Sequence, residues 1–347
     1  MGIFRRRAKQ PPVARPVIRN HTYEDVALDA AVQAVADGHI TAATTVLAEC
    51  RDEPELRALR LGVLRDGLVG GADELVELAR RHQDPELWLL AGTAFIGEAW
   101  AIRGGGRAKH VGEDRFKMFF ATLRKAVGPL HQAAELLPAD AVPWAQLLPV
   151  GMGLQVDRDQ KDEVWREVIT RCPTLFPAHW HRLQILAAKW GGSHEEMLSF
   201  ARATAELAPV GDPVTAMLAL AHFEVFLDRH TEALERRDAH EMVRVKWRYF
   251  AEVRPELQAA ADRWMANPAP HPRTLEAHNL FGAAFALAED AVRARTHLTG
   301  MRDHVHDIPW GYLAVLAEDI EKEYQTLAGP YLGDVPLNPL GVHGRWI

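Results

Sequence analysis

Seventeen histidines in a chain of 347 residues raise the question of whether any set of them holds a metal ion. His179 and His181 flank Trp180, and His304 and His306 flank Val305. Residues two apart on a helix point in nearly opposite directions, so neither pair grips one ion without unwinding. His240-Glu241 would open a zinc-protease motif if a histidine stood at position 244, but Arg244 stands there. Asp303 and Asp307 have helical spacing, with His304 adjacent, at the expected end of a helix before Pro309. A histidine near a helix C-terminus is favoured by the macrodipole without any metal. No ligand set at a recognised spacing emerges, so neither a metal nor another cofactor is expected.

Phosphate chemistry and nucleophilic catalysis fare no better. Arg103-Gly104-Gly105-Gly106 followed by Arg107 and Lys109 invites a phosphate-cradle reading. A P-loop needs Gly-Lys-Ser/Thr entering a helix after a strand, and a dinucleotide loop needs G-x-G-x-x-G in a βαβ unit. Neither context surrounds these glycines. Cys50 and Cys172 lack a catalytic signature, and no nucleophile elbow is present. Glu195-Glu196 and Glu232 with Glu235 sit at solvent-facing helix positions, where charge and capping account for them. No catalytic residue is assigned.

Aromatic residues are the stronger signal. Trp88, Trp100, Trp144, Trp165, Trp180 and Trp190 crowd the central segment. Tryptophan is highly buried on average, so most are expected in the core, and some are left to line a groove that holds a peptide. The stretch VRVKWRYF, Val243 to Phe250, mixes basic and aromatic residues in the manner of nucleic-acid binders, but the acidity of the body argues against that partner.

These side chains must be positioned by helices, because period-two runs of β-branched residues are scarce. Amphipathic segments are predicted near Tyr23–Ala36, Ile40–Cys50, Pro54–Arg65, Asp73–Arg81 and Pro85–Ile102, the last with one broad apolar face. Each of the short ones must pack on a neighbour. In LAAKWGGSHEEMLSFARA a helix is expected to end on Lys189-Trp190, turn through Gly191-Gly192, and restart at Ser193 with Glu196 completing a capping box.

The middle of the chain repeats. Pro138, Pro173 and Pro209 close helices at spacings of 35 and 36, and Pro143, Pro177 and Pro213 open the next ones at 34 and 36. Proline suits a first helical turn, where its missing amide hydrogen would be unpaired anyway. The period is that of tetratricopeptide repeats. TLEAHNLFGAAFALAEDAVRARTHL resembles one such unit, with Phe281-Gly282 at the large-small positions and Ala294 and Leu298 on the second helix. Pro85 to Pro209 also resembles a bacterial helical-repeat family of unknown function with an Arg-Gly-x-Gly insertion and a Trp-Gly-Gly-Ser corner, here Arg103–Gly106 and Trp190–Ser193. That resemblance implies a fold and no activity.

The expected fold is therefore all-α, a right-handed tetratricopeptide-like solenoid of antiparallel helix pairs in a single elongated domain over 21–328, with a loop insertion at 103–112. Residues 1–20 carry six cations and no acid, so a chain of net charge −7 divides into a basic, proline-rich tail, expected to be disordered, and an acidic body. Residues 329–347 are expected as an extended tail. The N-terminal stretch lacks the apolar core of a secretory signal, no window suits a membrane span, and two distant cysteines fit a reducing cytoplasm. The expected function is non-catalytic: an adaptor that binds a partner protein or peptide on a concave surface, with Arg103, Lys109, His179, Trp180, Trp190 and Ser193 as candidate contacts. Peripheral membrane contact through the basic tail is a further expectation. The alternative is an enzyme or small-ligand sensor with an enclosed cavity lined by Arg103, Lys109, His179 and His181.

Overall fold

The computed structural model describes residues 17–104, 112–314 and 319–332. Among the described residues the regular structure is helical and no strand forms; an isolated parallel bridge joins Ile18 to His304. The helices are α1 (Val26–Ala36), α2 (Ile40–Ala48), α3 (Pro54–Leu64), α4 (Ala72–His82), α5 (Pro85–Arg103), α6 (Glu113–Lys125), α7 (Val127–Leu136), α8 (Val142–Gly153) and α9 (Arg158–Arg171). They continue with α10 (Phe176–Leu186), α11 (His194–Leu207), α12 (Met217–Glu235), α13 (Ala239–Met265), α14 (Thr274–Leu287), α15 (Ala291–Gly300), α16 (Asp307–Leu313) and α17 (Ile320–Leu332).

The proline pattern marks real boundaries. Pro138, Pro173 and Pro209 each stand two residues beyond the end of α7, α9 and α11. Pro143 and Pro177 lie in the first turn of α8 and α10, and Pro213 opens the 3-10 turn that leads into α12. Aspartates do the capping elsewhere: Asp25, Asp84 and Asp157 each accept a backbone N–H in the first turn of α1, α5 and α9.

The described residues form two compact units, one within 21–225 with 258–277 and a smaller one within 17–20, 226–257 and 278–332. In the larger unit α5 is enclosed rather than amphipathic. Every residue from Glu86 to Ile96 is buried, because α4, α6, α7 and α8 all pack on it. The single broad face expected of this helix is corrected accordingly. Most of the central tryptophans are core residues: Trp88 is buried, and Trp100, Trp144, Trp165 and Trp190 pack half-buried against the same cluster.

The same unit is tied by two arginines of α3. Arg57 is wholly buried; its Nε donates to Asp140 at 2.7 Å, and its Nη1 donates to the Leu47 carbonyl at 2.6 Å and to Glu86 at 3.3 Å. Arg60 donates to Asp25 at 2.8 Å and to the Val46 carbonyl at 2.7 Å. The acids they hold lie at the starts of α1, α5 and α8, so each arginine locks a helix N-terminus to α3.

In the smaller unit Phe281 and Gly282 of α14 face α15, and a Cβ on Gly282 would stand 3.0 Å from Leu298. That is the close approach expected at this position. Asn279 organises the turn between α15 and α16: its Nδ2 donates to the His304 carbonyl at 2.9 Å, and its Oδ1 accepts from Trp310 Nε1 at 2.7 Å and from the His306 amide at 3.0 Å. Asp303 has φ 60° in that turn, and Asp307 opens α16, so the helix expected to carry both does not exist. Both tail expectations are also trimmed. Ile18 exchanges backbone hydrogen bonds with Asp303 and Val305, and Arg19 pairs with Asp307, so residues 17–20 are held in the fold. Helix α17 continues to Leu332, so residues 329–332 are helical; residues 1–16 and 333–347 lie outside the described residues.

Candidate functional site

The Trp190–Ser193 corner is built from backbone requirements. Helix α10 ends at Leu186, earlier than expected, and Ala188–Trp190 form a separate 3-10 turn. Gly191 then takes φ +89°, the left-handed conformation that glycine adopts at no steric cost. Gly192 is needed for space: a Cβ there would lie 2.0 Å from the Leu186 carbonyl oxygen, which accepts the Ser193 amide at 3.0 Å. Ser193 caps α11 by accepting the Glu196 amide at 3.0 Å. The capping box is only half formed, because Glu196 turns its carboxylate to Arg158 at 2.7 Å while Leu186 takes the amide it would have claimed. Gly192→Ala is expected to destabilise the protein by about 3 kcal/mol, the upper end for overpacking against backbone. Gly191→Ala is expected to cost about 1 kcal/mol, for the positive φ alone. Urea denaturation of the two variants checks the order.

Trp190 meets Arg103. The indoles of Trp190 and Trp100 stand edge to face, 6.0 Å apart at 83°. The Arg103 guanidinium sits in the angle between them, 5.3 Å from the Trp100 centroid and 5.6 Å from that of Trp190. Phe119 also packs edge-to-face with Trp100, at 5.2 Å. Arg103 is the last residue of α5, so its side chain reaches this angle from the helix end while Arg115 donates to the Ile102 carbonyl at 2.9 Å. The Arg103 Nη1 donates only to the Gly104 carbonyl, at 3.0 Å. Burial holds the Arg103 guanidinium below its usual pKa. Among the described residues no carboxylate pairs with it.

The other expected contacts lie elsewhere. Lys109 and most of the 103–112 insertion fall outside the described residues. His179 is buried between Trp165, edge to face at 4.9 Å, and Phe200, stacked at 5.9 Å, with Nδ1 3.1 Å from the Leu175 carbonyl. Desolvation pushes its pKa down to about 4. His181 is pushed down to about 4 as well, by burial first and then by the charges of Arg65 and Arg273. Trp180 is half-buried. The described contacts of Arg103 include neither histidine. Of the expected site residues the structure brings Arg103 and Trp190 together, and Ser193 holds the corner that carries Trp190. Both thiols are held protonated by burial, Cys172 pushed up to about 11 with the nearby Glu55 charge adding to the effect.

A second polar cluster escaped the sequence reading. Glu55, in the first turn of α3, accepts the Phe176 amide at 2.6 Å and so caps α10, whose own N-cap residue, Leu175, has no side-chain acceptor. His271 Nε2 lies 3.7 Å and Arg273 Nε 3.9 Å from the same carboxyl group, and Arg273 donates to Glu276 at 2.6 Å. Desolvation raises the Glu55 pKa to about 7 even though the Arg273 charge and the Phe176 amide oppose it. The members come from segments more than two hundred residues apart, and no local motif announces them.

The fold and the corner together define an all-helical protein with a cation held in an aromatic angle. Comparison of the chain with protein-family models, with curated proteins and with solved structures returned no match.

Proposed function

We propose that this chain is a non-catalytic interaction protein whose helix pairs stack in the tetratricopeptide manner. It binds a partner protein or peptide on the face where Trp100, Arg103 and Trp190 meet. The observation that carries the reading is the Arg103 guanidinium between two half-buried indoles without a counter-charge among the described residues. Aromatic and arginine side chains are the usual anchors of interfaces. The recurrence of proline-bounded helices through the larger unit supports the repeat reading.

Affinity purification from the native cell, comparing wild type with Arg103→Ala and Trp190→Ala, tests the proposal. Both variants are expected to melt near the wild-type temperature and to lose the same partners. If both fold and recover every wild-type partner, the face is wrong. A small-ligand reading would then rest on Glu55, His271 and Arg273, where Glu55 Oε2 and Arg273 Nε are buried without hydrogen-bond partners.

A further inference from the structure

We propose that the angle between Trp100 and Trp190 is a receptor for a single carboxylate group of the partner, bound by Arg103. The inference rests on the interaction reading above and names the chemistry of its ligand. A half-buried guanidinium has given up hydration, and the one hydrogen bond it makes among the described residues, to Gly104, does not neutralise it. Carboxylates of this chain cannot come from the adjoining segment, since Gly105 to Val111 reads GGRAKHV and holds two cations and no acid. Arg103 is only half-buried, so part of its side chain stays open to solvent and to a ligand.

The surroundings choose between anions. The site lies at the C-terminal end of α5, where the helix dipole opposes negative charge, and more strongly the larger that charge is. Arg115 is engaged with the Ile102 carbonyl at 2.9 Å and partly offsets that end. A phosphate dianion calls for several converging donors, whereas one guanidinium fork matches one planar carboxylate in two parallel hydrogen bonds. The indole walls accept the apolar carbons that carry such a group. An acidic side chain and a chain terminus both present this chemistry.

The test monitors the Arg103 Nε–Hε resonance in full-length protein with labelled arginine, assigned by its disappearance in Arg103→Lys. The probes are N-acetylglycine for a chain terminus, N-acetylaspartate methylamide for a side chain, inorganic phosphate, and sodium chloride at matched ionic strength. A saturable shift with either carboxylate and none with chloride is expected, the tighter of the two identifying the source. Binding to Arg103→Lys, monitored through the Trp190 indole N–H, is expected to weaken about tenfold, because lysine keeps the charge and loses the fork. No saturable shift with either carboxylate, or saturation by phosphate alone, overturns the inference. If Trp190→Ala loses partners in cells while Arg103→Ala keeps them, the interaction reading stands and the carboxylate receptor falls. If the carboxylates bind and neither variant changes the partners, the receptor stands and the interaction reading fails.

Discussion

Replacing Arg57 with methionine is expected to lower the stability of the protein by about 3–5 kcal/mol, read as a shift in the urea midpoint at constant slope. Arg57 is fully buried, and it faces two carboxylates that are nearly as buried, Glu86 and Asp140. Removing it strands Asp140, whose other described hydrogen bond is to the Val142 amide at the start of α8. Glu86 is better protected. Burial alone would raise its pKa, but the hydrogen bond from Arg51, aided by the charges of Arg57 and Arg51, holds it below the usual range. Asp140 is therefore the group left most exposed to desolvation cost. Arg60→Met is expected to cost less, about 1–2 kcal/mol, because Asp25 keeps 17% of its side-chain surface and can be rehydrated. A second variant separates charge from packing: Arg57→Met with Glu86→Leu and Asp140→Leu removes the three buried charges together, leaves the part-exposed Arg51 to solvent, and should recover much of the loss, as buried ionic groups often can be replaced by apolar ones. A loss under 1 kcal/mol for Arg57→Met alone would show that the locked helix starts are not what Arg57 supports.

The sequence carried the helical class and many of the boundaries because those depend on neighbours in the chain. Pro138, Pro173 and Pro209 stop helices through their own ring and missing amide, and Asp84 or Ser193 starts one with its own oxygen. Polar burial depends on partners far away. In PELRALRLGVL, Arg57 reads as a solvated residue until Asp140, 83 positions on, is known to stand beside it. Glu55 reads as an ordinary first-turn acid and proves to cap α10, 121 positions distant. The corner at Trp190 shows both limits. Gly191, Gly192 and Ser193 declare a turn and a cap, yet the lost half of the capping box results from Arg158, which draws Glu196 away. That Trp190 stands over Arg103 depends on the packing of α5 against its neighbours. The enclosed state of α5 was hidden for the same reason, since an apolar stripe says that one face is buried and not how many elements surround it.

Acid should unfold this protein steeply, above the pH at which ordinary carboxylates are protonated. Burial pushes six histidines down, His230 and His271 among them, and four go furthest: His179, His181 and His278 to about 4, and His297 to about 3 with the neighbouring His278 and Arg293 adding to desolvation. A histidine whose folded pKa lies below its ordinary 6.5 contributes stability that is fully present above about 6.5 and is lost as pH falls towards the folded value. Glu55 acts in the opposite sense. Its pKa of about 7 lies above the ordinary 4.5, so its contribution is full below 4.5 and lost as pH rises through 7. Between about pH 4.5 and 6.5 the unfolded chain thus binds four protons that the fold refuses, and the fold holds one on Glu55 that the unfolded chain has released. From these five groups alone the difference is three protons, which lowers the folding constant about a thousandfold per pH unit at the steepest part of the window; His230 and His271 add in the same direction. The geometry of the His278–His297 pair makes the penalty specific: the two Nδ1 atoms are 2.9 Å apart, so one ring donates and the other accepts, and protonating the acceptor sets two N–H groups against each other. Phe281 and Phe285 pack around His297, so a phenylalanine there fits the same aromatic contacts. Urea midpoints measured at about pH 7, 6 and 5 are expected to fall across the series, and His297→Phe should flatten the slope by about one proton. A midpoint that stays constant from about pH 7 to 5 would mean that these rings titrate in the folded protein as they do in the unfolded chain.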